Sequence, residues 1–452
     1  MPFALTAAQN KVVAEIGRDL AQPHPMQRLL QGDVGSGKTV VAALAALQAI
    51  ENGYQAALMA PTEILAEQHF LKLADWLAGL GVKTAWLAAR LGAKEKRAAL
   101  EMAASGEARL VVGTHALFQD QVEFQRLGLA IIDEQHRFGV HQRLALRNKG
   151  GSATPHQLMM SATPIPRTLS MSYYADLDVS VIDELPPGRT PVLTKLVSDG
   201  RRDEVVARVR DACLKGRQAY WVCPLIEETL SPSSPPKGER DSEPLSRKRE
   251  RGWGEGALQL KTAMETWETL SATFPELRIG LVHGRLPAAE KAAVMAAFKE
   301  GMLHLLVATT VIEVGVDVPN ASLMVIEHAE RMGLSQLHQL RGRVGRGAVS
   351  SVCLLLYQQP LSETARERLK IIHDNSDGFE IARRDLQLRG PGEFLGAKQS
   401  GVPLLKVADL ERDQDLLEMA RDAADTLLRD FPADAARHLE RWLGGRQEYL
   451  KA

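Results

Sequence analysis

One stretch decides the fold of this chain, Gly32-Asp33-Val34-Gly35-Ser36-Gly37-Lys38-Thr39. It matches the pattern G-x-x-x-x-G-K-[ST] and lies between a predicted strand at 28–31 and a predicted helix at 39–52. In that context the glycines at 32, 35 and 37 let backbone N–H groups wrap phosphates, and the start of the helix favours their negative charge. We therefore predict a nucleoside triphosphate site, with Lys38 between the β- and γ-phosphates and the Thr39 hydroxyl on Mg²⁺.

The sequence around this loop repeats one theme, a short strand pattern followed by a helical pattern. Strands are predicted at 28–31, 56–60, 84–88, 110–113, 129–133 and 157–161, with helices such as 39–52 and 63–79 between them. The theme starts again after the Pro/Gly segment 185–188, with strands at 192–197, 219–223, 278–282, 304–308, 323–326 and 352–357. Apolar strands that alternate with helices predict an α/β fold with parallel sheets covered on both faces.

Changes in composition predict three domains, at 1–190, 191–360 and 361–452. The last is a helical tail, with helices expected at 362–373, 379–388, 410–430 and 433–443. Within the second domain, residues 231–256 contain four Pro, four Gly, five Ser and eleven charged residues, and only Leu245 and Trp253 are apolar. Such a segment buries too little surface to fold, so it is predicted to be a disordered insertion.

The overall composition excludes several classes of protein. Hydrophobic residues make up 45% and charged residues 25%, which is typical of a folded globular chain. With 55 Lys+Arg against 56 Asp+Glu, any nucleic-acid site must rely on locally concentrated positive charge. The sequence has no apolar run long enough for a membrane span, no secretory signal pattern and no CxxC pair among its three cysteines. We expect a cytoplasmic protein without a membrane partner.

An acidic pair follows the predicted strand 129–133, in the sequence Asp133-Glu134-Gln135-His136. Ligands bind at the carboxyl ends of parallel strands, so Asp133 is predicted to hold Mg²⁺ and Glu134 to orient and deprotonate an attacking water. The alternative is an acidic strand end that faces solvent. The histidines are scattered and form no evident metal-ligand cluster, so Mg²⁺ is the only metal inferred.

A basic motif in the second half, Arg341-Gly342-Arg343-Val344-Gly345-Arg346-Gly347, is preceded by Gln339. Arginine is the residue that completes the charge around a transferring γ-phosphate. If the two sheets face each other, Arg343 and Arg346 would close over ATP bound on the first domain. The alternatives are a basic surface turn or direct contacts to a nucleic-acid backbone.

Hydroxyl-rich strand ends occur in both halves and predict a second ligand. Hydroxyls and backbone N–H groups are common contacts to nucleic-acid phosphates, so these ends are consistent with a groove that tracks a strand. Each motif alone is better explained by helix capping, and His115 alone by packing. The residues concerned are Thr62, Thr114, His115, Ser161, Thr163, Thr309 and Thr310.

These motifs, in this order, resemble those of superfamily 2 helicases. The set comprises Leu5-Thr6-x-x-Gln9 and the segments 32–39, 60–62, 113–115, 133–136, 161–163, 283–285, 309–319 and 339–346. The Asp-Glu-Gln-His variant, the segment 161–168 and the tail 377–401 resemble the RecG family of bacterial branched-DNA helicases. The resemblance covers nearly all of the chain except 231–256.

The resemblance implies two tandem RecA-like P-loop domains with parallel sheets, plus a C-terminal helical appendage. It also implies an ATP-dependent DNA helicase or translocase that moves on duplex DNA and remodels replication forks and Holliday junctions in recombination and repair. The resemblance also implies roles for individual residues. Gln9 would recognise the adenine, and Gly315, Asp317 and Gln339 would contact the nucleotide from the second domain. Ser161 and Thr163 would couple hydrolysis to domain movement, and Arg389 and Gln399 would transmit domain closure to the DNA-binding residues.

Members of the RecG family also carry an N-terminal wedge domain with an OB-type fold. This sequence starts directly before the Gln9 motif, so the expectation is a chain that lacks the wedge. The expected partners are branched or forked duplex DNA and a single-stranded DNA-binding protein, with the chain acting as a monomer. Two alternatives remain: an inert or merely DNA-binding fragment of such a helicase, and a translocase of the transcription-repair coupling type.

Overall fold

The structure is a computed structural model. It describes residues 4–88, 90–119, 121–134, 149, 154–162, 177–184, 191–223, 263–309, 318–345, 350–389, 413 and 416–443. The chain divides into two units, one formed by Met1–Pro186 with Ala382–Ala452, and one formed by Pro187–Ile381. The predicted insertion at 231–256 and the Pro/Gly segment 185–188 lie outside the described residues.

The first unit contains a seven-stranded sheet in which every described pair is parallel. All six strands predicted for this part are confirmed. The seventh was not predicted, because Asp178-Val179-Ser180-Val181-Ile182 mixes polar and apolar residues, as an edge strand can. The strands are, in chain order, β1 (Gln27–Gly32), β2 (Gln55–Met59), β3 (Thr84–Leu87), β4 (Leu110–Gly113), β5 (Leu127–Ile132), β6 (His156–Ser161) and β7 (Asp178–Ile182). Across the sheet they lie in the order β3-β4-β2-β5-β6-β1-β7.

Helices cover both faces of this sheet, as its apolar strands require. Alternate residues along a strand point to opposite faces. Leu30 and Leu58 pack in one core with the first two helices, whereas their neighbours Leu29 and Met59 pack in a second core with the fourth. The helices are α1 (Ala7–Leu20), α2 (Lys38–Glu51), α3 (Glu63–Ala78) and α4 (Ala93–Ala104).

The second unit contains a six-stranded parallel sheet, and the six strands predicted for it are confirmed. They are, in chain order, β8 (Leu193–Ser198), β9 (Gln218–Val222), β10 (Ile279–Val282), β11 (Leu305–Ala308), β12 (Ala321–Ile326) and β13 (Val352–Tyr357). Across the sheet they lie in the order β10-β11-β9-β12-β13-β8. Trp221 and Phe274 are large members of its core. The helices are α5 (Arg202–Leu214), α6 (263–273), α7 (Ala288–Lys299), α8 (Leu334–Arg341) and α9 (Glu363–Asp374).

The tail is helical, as predicted, where the structure describes it. Its helices are α10 (Gly378–Arg389), α11 (Leu416–Asp430) and α12 (Pro432–Leu443). Residues 390–412, which include Gln399 and the start of the helix predicted at 410–430, lie outside the described part. The domain boundaries proposed from sequence stay predictions.

Two further observations concern membrane-spanning helices and the cysteines. Among the described residues, no helix combines the length and the apolar character needed to cross a bilayer. Cys213, Cys223 and Cys353 are buried free thiols, in line with the absence of a CxxC pair.

Candidate nucleotide site

The glycine-rich loop lies between the end of β1 at Gly32 and the start of α2 at Lys38. Gly37 is the N-cap of α2 and has φ +93°, a conformation that residues with a Cβ rarely adopt. A Cβ on Gly37 would also lie 2.2 Å from Gln9 Nε2, and one on Gly32 would lie 2.5 Å from Ser36 Oγ. The loop therefore depends on glycine, and it leads into a helix N-terminus that favours an anion.

The ammonium group of Lys38 is hydrogen-bonded to backbone carbonyls of this loop. Its Nζ donates to Gly32 O at 2.6 Å and to Asp33 O at 3.0 Å. Its charge also lowers the pKa of Asp133. The lysine and the predicted magnesium ligand thus lie near each other within the first unit.

Asp133 follows β5 at the carboxyl edge of the sheet. Its backbone N–H donates to Met59 O at 2.8 Å, which fixes it beside the end of β2. Burial acts to raise the pKa of Asp133, but the hydrogen bond and charge of His69, with smaller effects of Lys38 and the Glu134 N–H, outweigh it and leave the pKa below its ordinary value. An ionised, buried carboxylate is what a magnesium site needs.

Glu134 has an unusual backbone conformation, with φ +50°. A non-glycine residue in this region carries strain on the order of 1–3 kcal/mol and is found often at functional sites. The Glu134 carboxylate accepts a hydrogen bond from Ala162 N at 3.5 Å, just after the end of β6. The strained residue therefore contacts the strand end that carries Ser161.

The residues present fit Mg²⁺ in combination with a nucleotide. Thr39 and Asp133 offer the hard oxygen ligands that Mg²⁺ prefers, and the ion usually completes its shell with water and substrate phosphates. Among the described residues, no group of three His, Cys, Asp or Glu side chains could hold a metal ion by itself. The buried Ser36 Oγ in the same loop also lacks a hydrogen-bond partner within the described structure.

Gln9 connects the start of α1 to the glycine-rich loop. Its Oε1 accepts from Thr6 N at 3.0 Å in a capping box, and its Nε2 donates to Ser36 O at 2.8 Å. The side chain is buried, and both ends of its amide are engaged within the protein. Adenine reading by Gln9 stays a prediction, and it requires these hydrogen bonds to rearrange.

The hydroxyl residues predicted to contact DNA differ in their surroundings. Ser161, Thr114 and Thr309 are buried, and the Thr114 hydroxyl has no hydrogen-bond partner within the described residues. Thr62 caps α3, because its hydroxyl accepts from Leu65 N at 3.3 Å. His115 is exposed. Thr163 and Thr310 lie outside the described residues.

The basic motif of the second unit begins within α8. Gln339 and Arg343 are buried, with 7% and 9% of their surfaces exposed. Arg341 donates to the carbonyl oxygens of Asn375 at 2.7 Å and Ile372 at 2.9 Å. Gly315, Asp317 and Arg346 lie outside the described residues, as does the side chain of Arg389.

Sequence reasoning gave no role to two side chains that the structure makes prominent. Arg341 fastens α8 to the carboxyl end of α9, although the sequence shows it only as part of an arginine-rich motif. His69 contacts Asp133, with Nε2 and Oδ2 2.7 Å apart. A signal for His69 exists, because it interrupts an apolar helical stripe and a buried polar side chain needs a partner.

Three family models match the chain. Residues 6–172 match the DEAD/DEAH box helicase model, and residues 258–348 match the helicase conserved C-terminal domain. Residues 375–440 match domain 3, C-terminal, of the ATP-dependent DNA helicase RecG. The ATP-dependent DNA helicase RecG of Escherichia coli (strain K12) is 56% identical over 455 residues, which cover 100% of this chain and 62% of that protein.

The chain belongs to the RecG family. The RecG protein of Haemophilus influenzae is 53% identical over 100% of this chain, and that of Aquifex aeolicus is 49% identical over 96%. A solved structure of RecG bound to a three-way DNA junction matches with a TM-score of 0.72 and 46% identity, covering 92% of this chain and 51% of that one. Yeast Dbp5, at 16% identity and a TM-score of 0.54, shares the fold.

The chain spans 62% of the length of the E. coli and H. influenzae RecG proteins. The matched part holds both helicase regions and the RecG-specific C-terminal region. The fold is therefore the pair of RecA-like domains with a helical appendage that the resemblance implies.

Proposed function

We propose that the chain is a DNA-stimulated ATP hydrolase that uses turnover to move on duplex DNA and to remodel branched DNA. The observation that carries this proposal is that the glycine-rich loop with Lys38 follows β1 and the Asp133–Glu134 pair follows β5, both at the carboxyl edge of the same parallel sheet. The RecG names of the relatives, and a relative bound to a three-way DNA junction, support DNA as the substrate.

The phosphate chemistry is assigned to side chains of the first unit. Lys38, released from its loop carbonyls, would neutralise the β- and γ-phosphate oxygens, while Thr39 and Asp133 would hold Mg²⁺. A bound Mg²⁺ would supply positive charge to the phosphate oxygens. Glu134 would orient the attacking water and accept its proton. Positioning and electrostatics supply most of the rate gain in such phosphoryl transfers.

The second unit is proposed to complete the charge. Arg343 and Arg346 would contact the γ-phosphate, with Gly315, Asp317 and Gln339 on the nucleotide. Ser161, Thr163, Arg389 and Gln399 would transmit the closing and reopening of the two domains to the DNA-binding residues. Thr62, Thr114, His115, Thr309 and Thr310 are proposed for the strand-tracking groove. Burial of Thr114 and Thr309 requires that groove to open for them.

The proposed substrates are replication forks and Holliday junctions. The proposed partner is a single-stranded DNA-binding protein, and the chain is proposed to act as a monomer. Sedimentation of the chain on a forked oligonucleotide, with and without that partner, measures both stoichiometries. Two copies of the chain per fork at saturation would contradict the monomer.

The first prediction concerns ATP turnover measured against single-stranded, duplex and forked DNA. Wild-type turnover should rise with forked DNA. Lys38→Ala or Glu134→Gln should abolish the stimulated rate, because the first removes a positive charge from the phosphate oxygens and the second removes the base for the attacking water. Lys94→Ala removes a lysine from the exposed side of α4 and serves as the matched control.

Undiminished turnover in either site variant would remove the site assignment. A wild-type chain that binds forked DNA but hydrolyses no ATP under any of the three conditions would leave the alternative of a DNA-binding fragment.

A further inference from the structure

A histidine outside the recognised motifs contacts the proposed magnesium ligand. The Nε2 of His69 lies 2.7 Å from Asp133 Oδ2, and the two side chains are only 8% and 10% exposed. The other carboxylate oxygen, Oδ1, accepts from the Glu134 N–H at 3.0 Å. Both oxygens of Asp133 are thus fixed by the protein, one by a backbone group and one by a side chain 64 residues away.

The helix that carries His69 is built to place it there. The buried residues of α3 are Ala66, His69, Leu73 and Leu77, a spacing that lines one face of a helix. An imidazole in that apolar stripe is costly unless it is hydrogen-bonded. The connection of α3 to β2, which pairs with β5, brings the stripe beside the end of β5 where Asp133 lies.

We propose that His69 is a positioning residue for Asp133, which holds the carboxylate in the orientation that binds Mg²⁺. The inference rests on the proposed function, because it assigns a role within that site. Each carboxylate oxygen has two lone pairs, so one hydrogen bond to each oxygen fixes the plane of the group and leaves a lone pair on each for the ion. Ligating carboxylates in metalloproteins are commonly oriented in this way by a second group.

Direct measurement of metal binding tests the proposal. Mn²⁺, in place of Mg²⁺, is titrated onto the full chain carrying a non-hydrolysable ATP analogue and is followed by electron paramagnetic resonance. The variant His69→Leu places an apolar residue of similar size on the buried face of α3, and that residue cannot form a hydrogen bond. We expect its Mn²⁺ affinity to fall about 10- to 100-fold, the range typical for loss of a group that orients a metal ligand.

Further variants separate positioning from packing. His69→Gln replaces the imidazole N–H with an amide N–H that can reach the carboxylate and should recover most of the affinity, whereas the shorter His69→Asn should not. Leu73→Ala, one turn along the same buried stripe, should lower the unfolding midpoint and leave Mn²⁺ affinity unchanged. If His69→Leu does not fold, the comparison of Gln with Asn decides the matter.

Wild-type Mn²⁺ affinity in His69→Leu, or equal affinities in His69→Gln and His69→Asn, would overturn the proposal even if ATP turnover fell. A wild-type chain that binds Mn²⁺ with the nucleotide but shows no DNA-stimulated turnover would instead count against the proposed function. The two failures are therefore distinguishable.

Discussion

Two residues at the edge of the first sheet have positive φ angles that side chains disfavour, and both lie beside the proposed nucleotide site. Glu134 has a strained backbone and yet makes hydrogen bonds through both its N–H and its carboxylate. Gly37 supplies a backbone conformation that a side chain would disfavour, at the point where α2 begins. Strain of this kind persists only where the surrounding structure fixes it, which is typical of a site that must be preorganised.

At this scale the arginines are open to test. Arg346→Ala should reduce ATP turnover by about 10³-fold or more while sparing ATP binding, if the guanidinium acts as an arginine finger. Turnover is measured by phosphate release and binding with a fluorescent ATP analogue. Arg366→Ala, which removes an exposed arginine from α9, is the control. A loss below tenfold would favour a basic surface turn.

Among the elements, α8 and α9 are joined by one buried side chain. Arg341 is 5% exposed and donates hydrogen bonds to the carbonyl oxygens of Ile372, Asn375 and Ser376. Its planar guanidinium carries donors on separate nitrogen atoms and so reaches these three carbonyls, whereas a lysine ammonium would present all its donors from one point. The arginine-rich motif therefore has a structural member as well as members proposed to act on phosphate.

We expect Arg341→Ala to lower the free energy of unfolding of the second unit by about 2–4 kcal/mol, because each buried polar group left unpaired costs about 1–3 kcal/mol. Arg341→Lys should recover only part of that loss. Urea unfolding followed by tryptophan fluorescence measures it, since Trp221 lies in the core of the same unit. The surface variant Arg366→Ala should have the wild-type free energy of unfolding. A wild-type value in Arg341→Ala would show that the guanidinium does not stabilise the unit.

The sequence was most informative about elements. Of the thirteen strands in the part of the chain that the structure describes, twelve could be predicted, because apolar runs between helical patterns are a local signal; β7, with Asp178 and Ser180, lacks that signal. The glycine-rich loop and the acidic pair could be found for the same reason. The contact of His69 with Asp133 could not, because it depends on how α3 packs beside a strand that is distant in the sequence. The second hydrogen bond of Gln9, to Ser36, is hidden in the same way.

For the whole molecule, the question is how turnover reaches DNA. Arg389 is the last residue of α10, within the region that matches the RecG-specific family model. We expect Arg389→Ala to retain DNA-stimulated ATP hydrolysis and to lose strand displacement on a fork, because the proposed role is transmission. The paired assays are phosphate release and fluorescence of a displaced labelled strand. Arg429→Ala, whose pair with Asp430 lies on the surface, should keep both activities.

Parallel loss of hydrolysis and displacement in Arg389→Ala would contradict a transmission role. Retention of both would show that the residue is dispensable.

The position of β1 inside its sheet has a consequence for synthesis on the ribosome. β1 lies between β6 and β7, so Gln27 pairs across to Gln157 and Arg28 to Asp178. A nascent chain that has just made the glycine-rich loop lacks both neighbouring strands, and pairings this remote along the sequence are slow to form. The loop therefore stays unsupported until β7, which ends at Ile182, has also left the exit tunnel, and in that period its apolar strand is exposed to chaperones and to aggregation.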